Sequence, residues 1–109
     1  MDQSGAVFAF EGPHEVVVSE SLSAAEGEFE AIDVENDEFD FFREDGTAIQ
    51  ATTVGQHVVL KLLDDRRPEE LRERLRVFLM QPSVALDPDL ADDPRAAALG
   101  LLRLQRKGL

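Results

Sequence analysis

The sequence predicts an α+β fold: an antiparallel β-meander of five to six strands over about residues 7–63, then two C-terminal helices, about 68–81 and 94–107, packing on one sheet face. Three observations predict it. Apolar residues recur at period two, or in short β-branched runs, as far as Leu63. Beyond Leu63 they recur at helical spacing. The breaks in the first part are short Gly-, Asn- and Asp-containing turn signals, which join neighbouring strands as hairpins and make the sheet antiparallel. The 109 residues form one domain on this reading.

The first hairpin is Val7 to Phe10 and Glu15 to Ser19 around Gly12-Pro13-His14. Ser19 to Glu26, ending at Gly27, suits either a helical turn or a loop, with Ser19, Ser21 and Ser23 available for capping. Glu35-Asn36-Asp37-Glu38 reads as a second hairpin turn. With Asn36 and Asp37 as its loop, the register sets Glu35 opposite Glu38, Val34 opposite Phe39, Asp33 opposite Asp40 and Ile32 opposite Phe41. Four carboxylates then share one face, while Ile32, Val34, Phe39 and Phe41 share the core face. A third turn at Arg43 to Thr47, with Gly46 in a left-handed position, lays Phe41 opposite Ile49 and Phe39 opposite Ala51. A fourth at Val54-Gly55-Gln56 leads into the apolar run His57 to Leu63.

In the first helix Asp64-Asp65 offers a cap, Pro68 suits the first turn, and Leu71, Leu75, Phe78 and Leu79 form the buried stripe. Asp93 caps the second helix, with Pro94 at its first position. Its apolar surface is broad: Leu101 and Leu104 lie away from the Leu99/Leu102 stripe, which leaves a side of the helix for a homodimer.

Charge excludes several partners. Residues 1–62 hold 14 acidic and 2 basic side chains, whereas the remaining 47 hold 9 of each, so the whole net charge of −12 lies in the first part. Within Glu26 to Asp45 alone there are ten carboxylates and one arginine. Nucleic acid and anionic membranes demand clustered Lys and Arg and are poor partners for such a chain. No signal peptide or membrane-spanning run is visible, which points to the cytoplasm. There is no Cys, and hence no disulfide, thiolate metal site or cysteine nucleophile.

Catalytic and metal motifs are weak. Asp33, Glu35, Asp37 and Glu44 match several ligand positions of a calcium loop, but Glu38 stands where the sharp turn needs Gly. His14-Glu15-Val16-Val17-Val18 opens like a zinc-protease helix but has Val18 in place of the second His. No phosphate loop, dinucleotide fingerprint or nucleophile elbow occurs, and Trp and Tyr are absent. No cofactor or metal is expected.

The expectation is therefore a non-enzymatic interaction module of the inhibitor, immunity or chaperone kind. It binds a basic protein through Asp33, Glu35, Asp37, Glu38 and Asp40, because opposed like charges weaken a hairpin and a cationic partner relieves them. A small-ligand or divalent-cation domain is the alternative, and an enzyme comes third.

Overall fold

A computed structural model describes residues 5–36 and 38–107. The chain forms strands β1 (Val7–Glu11) and β2 (Glu15–Ser19), helices α1 (Leu22–Glu28) and α2 (Ala31–Glu35), strands β3 (Asp40–Arg43), β4 (Thr47–Val54) and β5 (His57–Arg66), and helices α3 (Pro68–Leu79) and α4 (Pro94–Lys107). A short 3-10 turn, Pro88–Asp92, precedes α4. The five strands make one antiparallel sheet in the order β2-β1-β3-β4-β5. The α+β class and the antiparallel sheet followed by helices are as the sequence predicts. Strict meander order is broken once: β3 lies against β1, because the chain leaves β2, crosses one face through α1 and α2, and returns on the far side of β1.

That crossing corrects the second predicted hairpin. Residues 31–35 are helical, so the pairing of Glu35 with Glu38 and of Asp33 with Asp40 does not form. Over five residues, Ala31 to Glu35 fits a helical turn as well as a strand, and Ala and Glu are helix formers depleted in sheets. The turn directs Val34 inward and leaves Ile32 61% exposed. Of the stretch Ser19 to Glu26, Ser19 ends β2 and Leu22 onward forms α1, capped by the Ser21 hydroxyl, which accepts from Ala24 N–H at 3.1 Å.

The strand pleat distributes side chains to two cores. On one face Phe8, Phe10, Val18 and Phe42 meet Leu71, Leu75 and Leu79 of α3 and Ala97, Ala98 and Leu101 of α4. Val7, Ala9, Phe41, Ile49, Val58 and Leu60 meet Leu22 and Ala25 of α1, with Phe29, Val34 and Phe39, on the other. Two layers of helix therefore enclose the sheet, with α1 and α2 on the face opposite the C-terminal helices. β1 is buried on both sides because Val7-Phe8-Ala9-Phe10 is apolar at every position.

The β3–β4 turn follows expectation at Gly46 and at the Phe41–Ile49 pair, but β3 begins at Asp40, so the expected pairing of Phe39 with Ala51 does not form. Gly46 has φ of +90°, Phe41 pairs with Ile49, and Gly46 O accepts from Arg67 N–H at 2.8 Å. A Cβ on Gly46 would stand 2.5 Å from the Cα of Pro68, so the turn and the start of α3 pack in contact. α3 starts at Pro68 with Arg67 as N-cap; Asp65 instead forms an ion pair with Arg67 at 2.9 Å. Asp93 caps α4 as expected, its carboxylate accepting from Ala96 N–H at 3.2 Å.

Candidate functional site

The predicted acidic residues do not share one hairpin face. Asp33 stands on α2 and Glu38 on the entry to β3, with Glu38 N–H donating to Asp33 O at 3.3 Å. Two glutamates that the sequence reading did not select join them. Glu11 and Glu15 close the β1–β2 hairpin as a cross-strand pair, and the β1–β3 register, Phe10 opposite Asp40, brings Glu11 level with the start of β3. Four carboxylates from different segments thus gather at one end of the sheet. The signal for Glu11 and Glu15 lay in the turn: a three-residue Gly12-Pro13-His14 loop sets its flanking residues opposite each other.

The electrostatics show the crowding. Loss of hydration, and then the charges of Glu15, Glu38 and Asp33 with a hydrogen bond to Glu15, push the Glu11 carboxyl above its ordinary value. Among the described residues, no ion pair reaches Glu11, Glu15, Asp33 or Glu38. A recess of about 370 Å³ adjoins the cluster, lined by Glu11, His14 and Glu15 together with Val16, Val17, Phe39 and Phe78.

The other selected carboxylates are engaged. Asp40 holds Arg74 at 2.7 Å, and Arg74 also lies over the Phe10 ring, 5.2 Å from its centre. Glu35 accepts from the Thr53 hydroxyl at 3.2 Å. Asp37 lies outside the described residues. The arginines of the β5–α3 region are consumed in the same way: Arg66 pairs with Asp45, Arg67 with Asp65 and Glu70, Arg72 with Glu69, and Arg76 with Glu73 and Asp92. Such exposed pairs contribute only about 0–1 kcal/mol each to stability. Their effect on the field is larger, since α3 is left nearly neutral while the hairpin end is not.

Several remaining carboxylates of the first part act as backbone acceptors. Glu26 accepts from Leu60 N–H on edge strand β5 at 2.8 Å, and Glu44 from Ala6 N–H at 2.8 Å. Glu28 accepts from the Ser19 hydroxyl.

On α4, Leu101 is 5% exposed and belongs to the core, which corrects its expected place on an uncovered side: the helix turns Ala97, Ala98 and Leu101 toward the sheet. Leu104 is 36% exposed, and Leu99, assigned to the buried stripe, is 52% exposed. Among the described residues, no group of three His, Asp or Glu side chains is arranged to hold a metal ion, and no helix is long and apolar enough to cross a membrane. Comparison with known protein families, with curated proteins and with solved structures returns no match.

Proposed function

We propose that this protein is a non-enzymatic interaction module of the cytoplasm whose acidic hairpin end binds a basic protein. The observation that carries the reading is the gathering of Glu11, Glu15, Asp33 and Glu38, without a described cationic partner, in a chain that neutralises the arginines of α3 internally. Like charges held together weaken the free protein, and a Lys- or Arg-bearing partner removes that cost on binding. The adjoining recess suits such a side chain: Phe39, Val16 and Val17 can cover an aliphatic stem while the glutamates meet its charged head. The field of the unneutralised end raises the rate of encounter with a basic surface.

The test separates a local site from bulk charge. Wild type, a Glu15→Lys/Glu38→Lys variant and a charge-matched Asp64→Lys/Asp89→Lys variant are immobilised and exposed to native cell extract at low and high salt. A protein retained by wild type and by the Asp64/Asp89 variant, but lost from the Glu15/Glu38 variant and at high salt, supports the proposal. Equal retention by all three, or by none, defeats it.

A further inference from the structure

We infer that the partner contributes an extended basic segment that pairs as an added strand with β4 at Ala51 and Thr53, in the gap where β3 ends. This rests on the acidic-module reading above and specifies the form of the segment it recognises. β3 is short: its ladder with β4 consists of Phe42 opposite Ala48 and Phe41 opposite Ile49, yet β4 continues to Val54. From Gln50 onward β4 has β5 on one side and, among the described residues, no strand on the other.

Main-chain direction alternates along a strand, and two observations fix its phase here. The two-residue loop Gly55-Gln56 makes Val54 and His57 the closing hydrogen-bonded pair, so Thr53, opposite Val58, and Ala51, opposite Leu60, turn their N–H and C=O groups away from β5. Independently, Leu60 N–H points off the β5 edge to Glu26, which requires the same phase for Ala51 across the ladder. Ala51 and Thr53 thus offer alternate donors and acceptors at the spacing that strand addition uses.

The outer edges of the sheet are treated differently. Gln105 occupies both backbone groups of Val18 on β2, and Glu26 occupies Leu60 N–H on β5. Side chains that occupy edge groups guard against unwanted pairing; in the β4 gap, beside a cavity of about 390 Å³, Glu35 holds the Thr53 hydroxyl, but among the described residues no side chain occupies a main-chain group of Ala51 or Thr53.

The walls of that cavity set the chemistry of the occupant. Toward α2 they are apolar, with Val34 and Phe39. On the α3 side stand the carboxylates Asp40, Asp65 and Glu70, three negative charges against the two arginines, Arg67 and Arg74, that pair with them. An added strand sends alternate side chains to opposite faces, so the matching segment alternates apolar and basic residues.

The test uses the full-length ¹⁵N-labelled protein and a capped (Lys-Val)₄ peptide, with capped (Glu-Val)₄ as control. The expected result is salt-sensitive binding of the basic peptide alone, slowed exchange of the Ala51 and Thr53 amides on binding, and a loss of affinity of about tenfold or more in Ala51→Pro, which removes one edge donor without touching the β5 ladder. The exchange measurement needs no variant and stands if Ala51→Pro misfolds. Binding that Glu15→Lys/Glu38→Lys weakens, with unchanged exchange at Ala51 and Thr53 and normal affinity in Ala51→Pro, overturns strand addition and leaves the acidic-module reading standing. Equal binding of (Glu-Val)₄, or no binding of (Lys-Val)₄ at low salt, overturns the inference as well.

Discussion

The carboxamide of Gln105 satisfies both main-chain groups of Val18: its Oε1 accepts from Val18 N–H at 2.8 Å and its Nε2 donates to Val18 O at 2.9 Å. An amide side chain from α4 thus imitates a neighbouring strand, closing the β2 edge and fastening the end of the chain to the sheet. Gln105→Ala leaves both groups without this partner beside a fully buried side chain, at a cost of roughly 1–3 kcal/mol, read from urea unfolding. Q105E separates the two bonds. Its carboxylate still accepts from N–H but repels the carbonyl, so the new group's folded-state pKa is raised. The resulting penalty is full above that pKa and fades as the pH falls through it, until the protonated acid can donate.

Gly46→Ala is expected to be the most damaging glycine substitution among the turns. A side chain at φ +90° costs about 1–2 kcal/mol by itself, and here the added carbon also meets the Pro68 backbone. Gly12, with φ of +66° and open space around it, isolates the conformational part. Thermal unfolding of the two alanine variants should show Gly46→Ala losing clearly more than Gly12→Ala, and equal losses would mean that the turn and α3 do not pack as described.

Two carboxyls give the stability–pH profile opposing contributions. Glu11 is raised, so the folded state holds its proton more tightly than the unfolded chain; its penalty is absent below the ordinary carboxylate range and sets in as the pH rises through the raised value. At Asp45 desolvation pushes upward, but hydrogen bonds from the Thr47 hydroxyl and N–H and from Arg66 outweigh it and hold the carboxyl below its ordinary value. Its contribution is therefore present above the ordinary range and lost as the pH falls through the lowered value. Side-chain NMR titration should find the Glu11 carboxyl above its ordinary value and returning toward it in Glu15→Gln/Glu38→Gln, a variant also more stable than wild type at neutral pH.

On α4, Leu101→Ala should cost roughly 2–5 kcal/mol as a core truncation, whereas Leu104→Ala and Leu99→Ala should each cost less than about 1 kcal/mol. If the exposed leucines serve a homodimer, sedimentation will show wild type as a dimer and Leu99→Lys/Leu104→Lys as a monomer of unchanged fold. A monomeric wild type removes the dimer.

The parts of this fold legible in the sequence were those where one signal dominated. Leu71, Leu75 and Leu79 repeat at a helical interval, Gly46 follows a turn dipeptide, and Phe41 found Ile49 by hairpin register alone. Misreading came where two periods coincide over a short stretch: Ile32 to Glu35 alternates apolar and acidic residues like a strand, yet Ala31 and Val34 also fall one helical turn apart. Strand order was hidden for another reason. Val7 to Phe10, apolar on both faces, already marks a central strand, but only tertiary packing says which later strand takes its open side. For the acidic site, composition located the charge and missed its grouping, because Glu11 and Glu15 reach Asp33 and Glu38 only after the chain has crossed the sheet.

The narrow ladder between β3 and β4 gives the abundance of carboxylates another meaning. Among the described residues, two ladder pairs join the β2-β1-β3 ribbon to the β4-β5 ribbon, so the sheet by itself has a seam. Glu26 and Glu35, carried on the two helices that lie across one face, reach β5 and β4 beyond that seam, and Arg66 and Asp45 fasten it beside the turn. Acidic side chains thus act as rivets between two panels. Substitutions that discharge this half of the chain will therefore fall into two groups: those that alter what the surface attracts, and those that let the panels part.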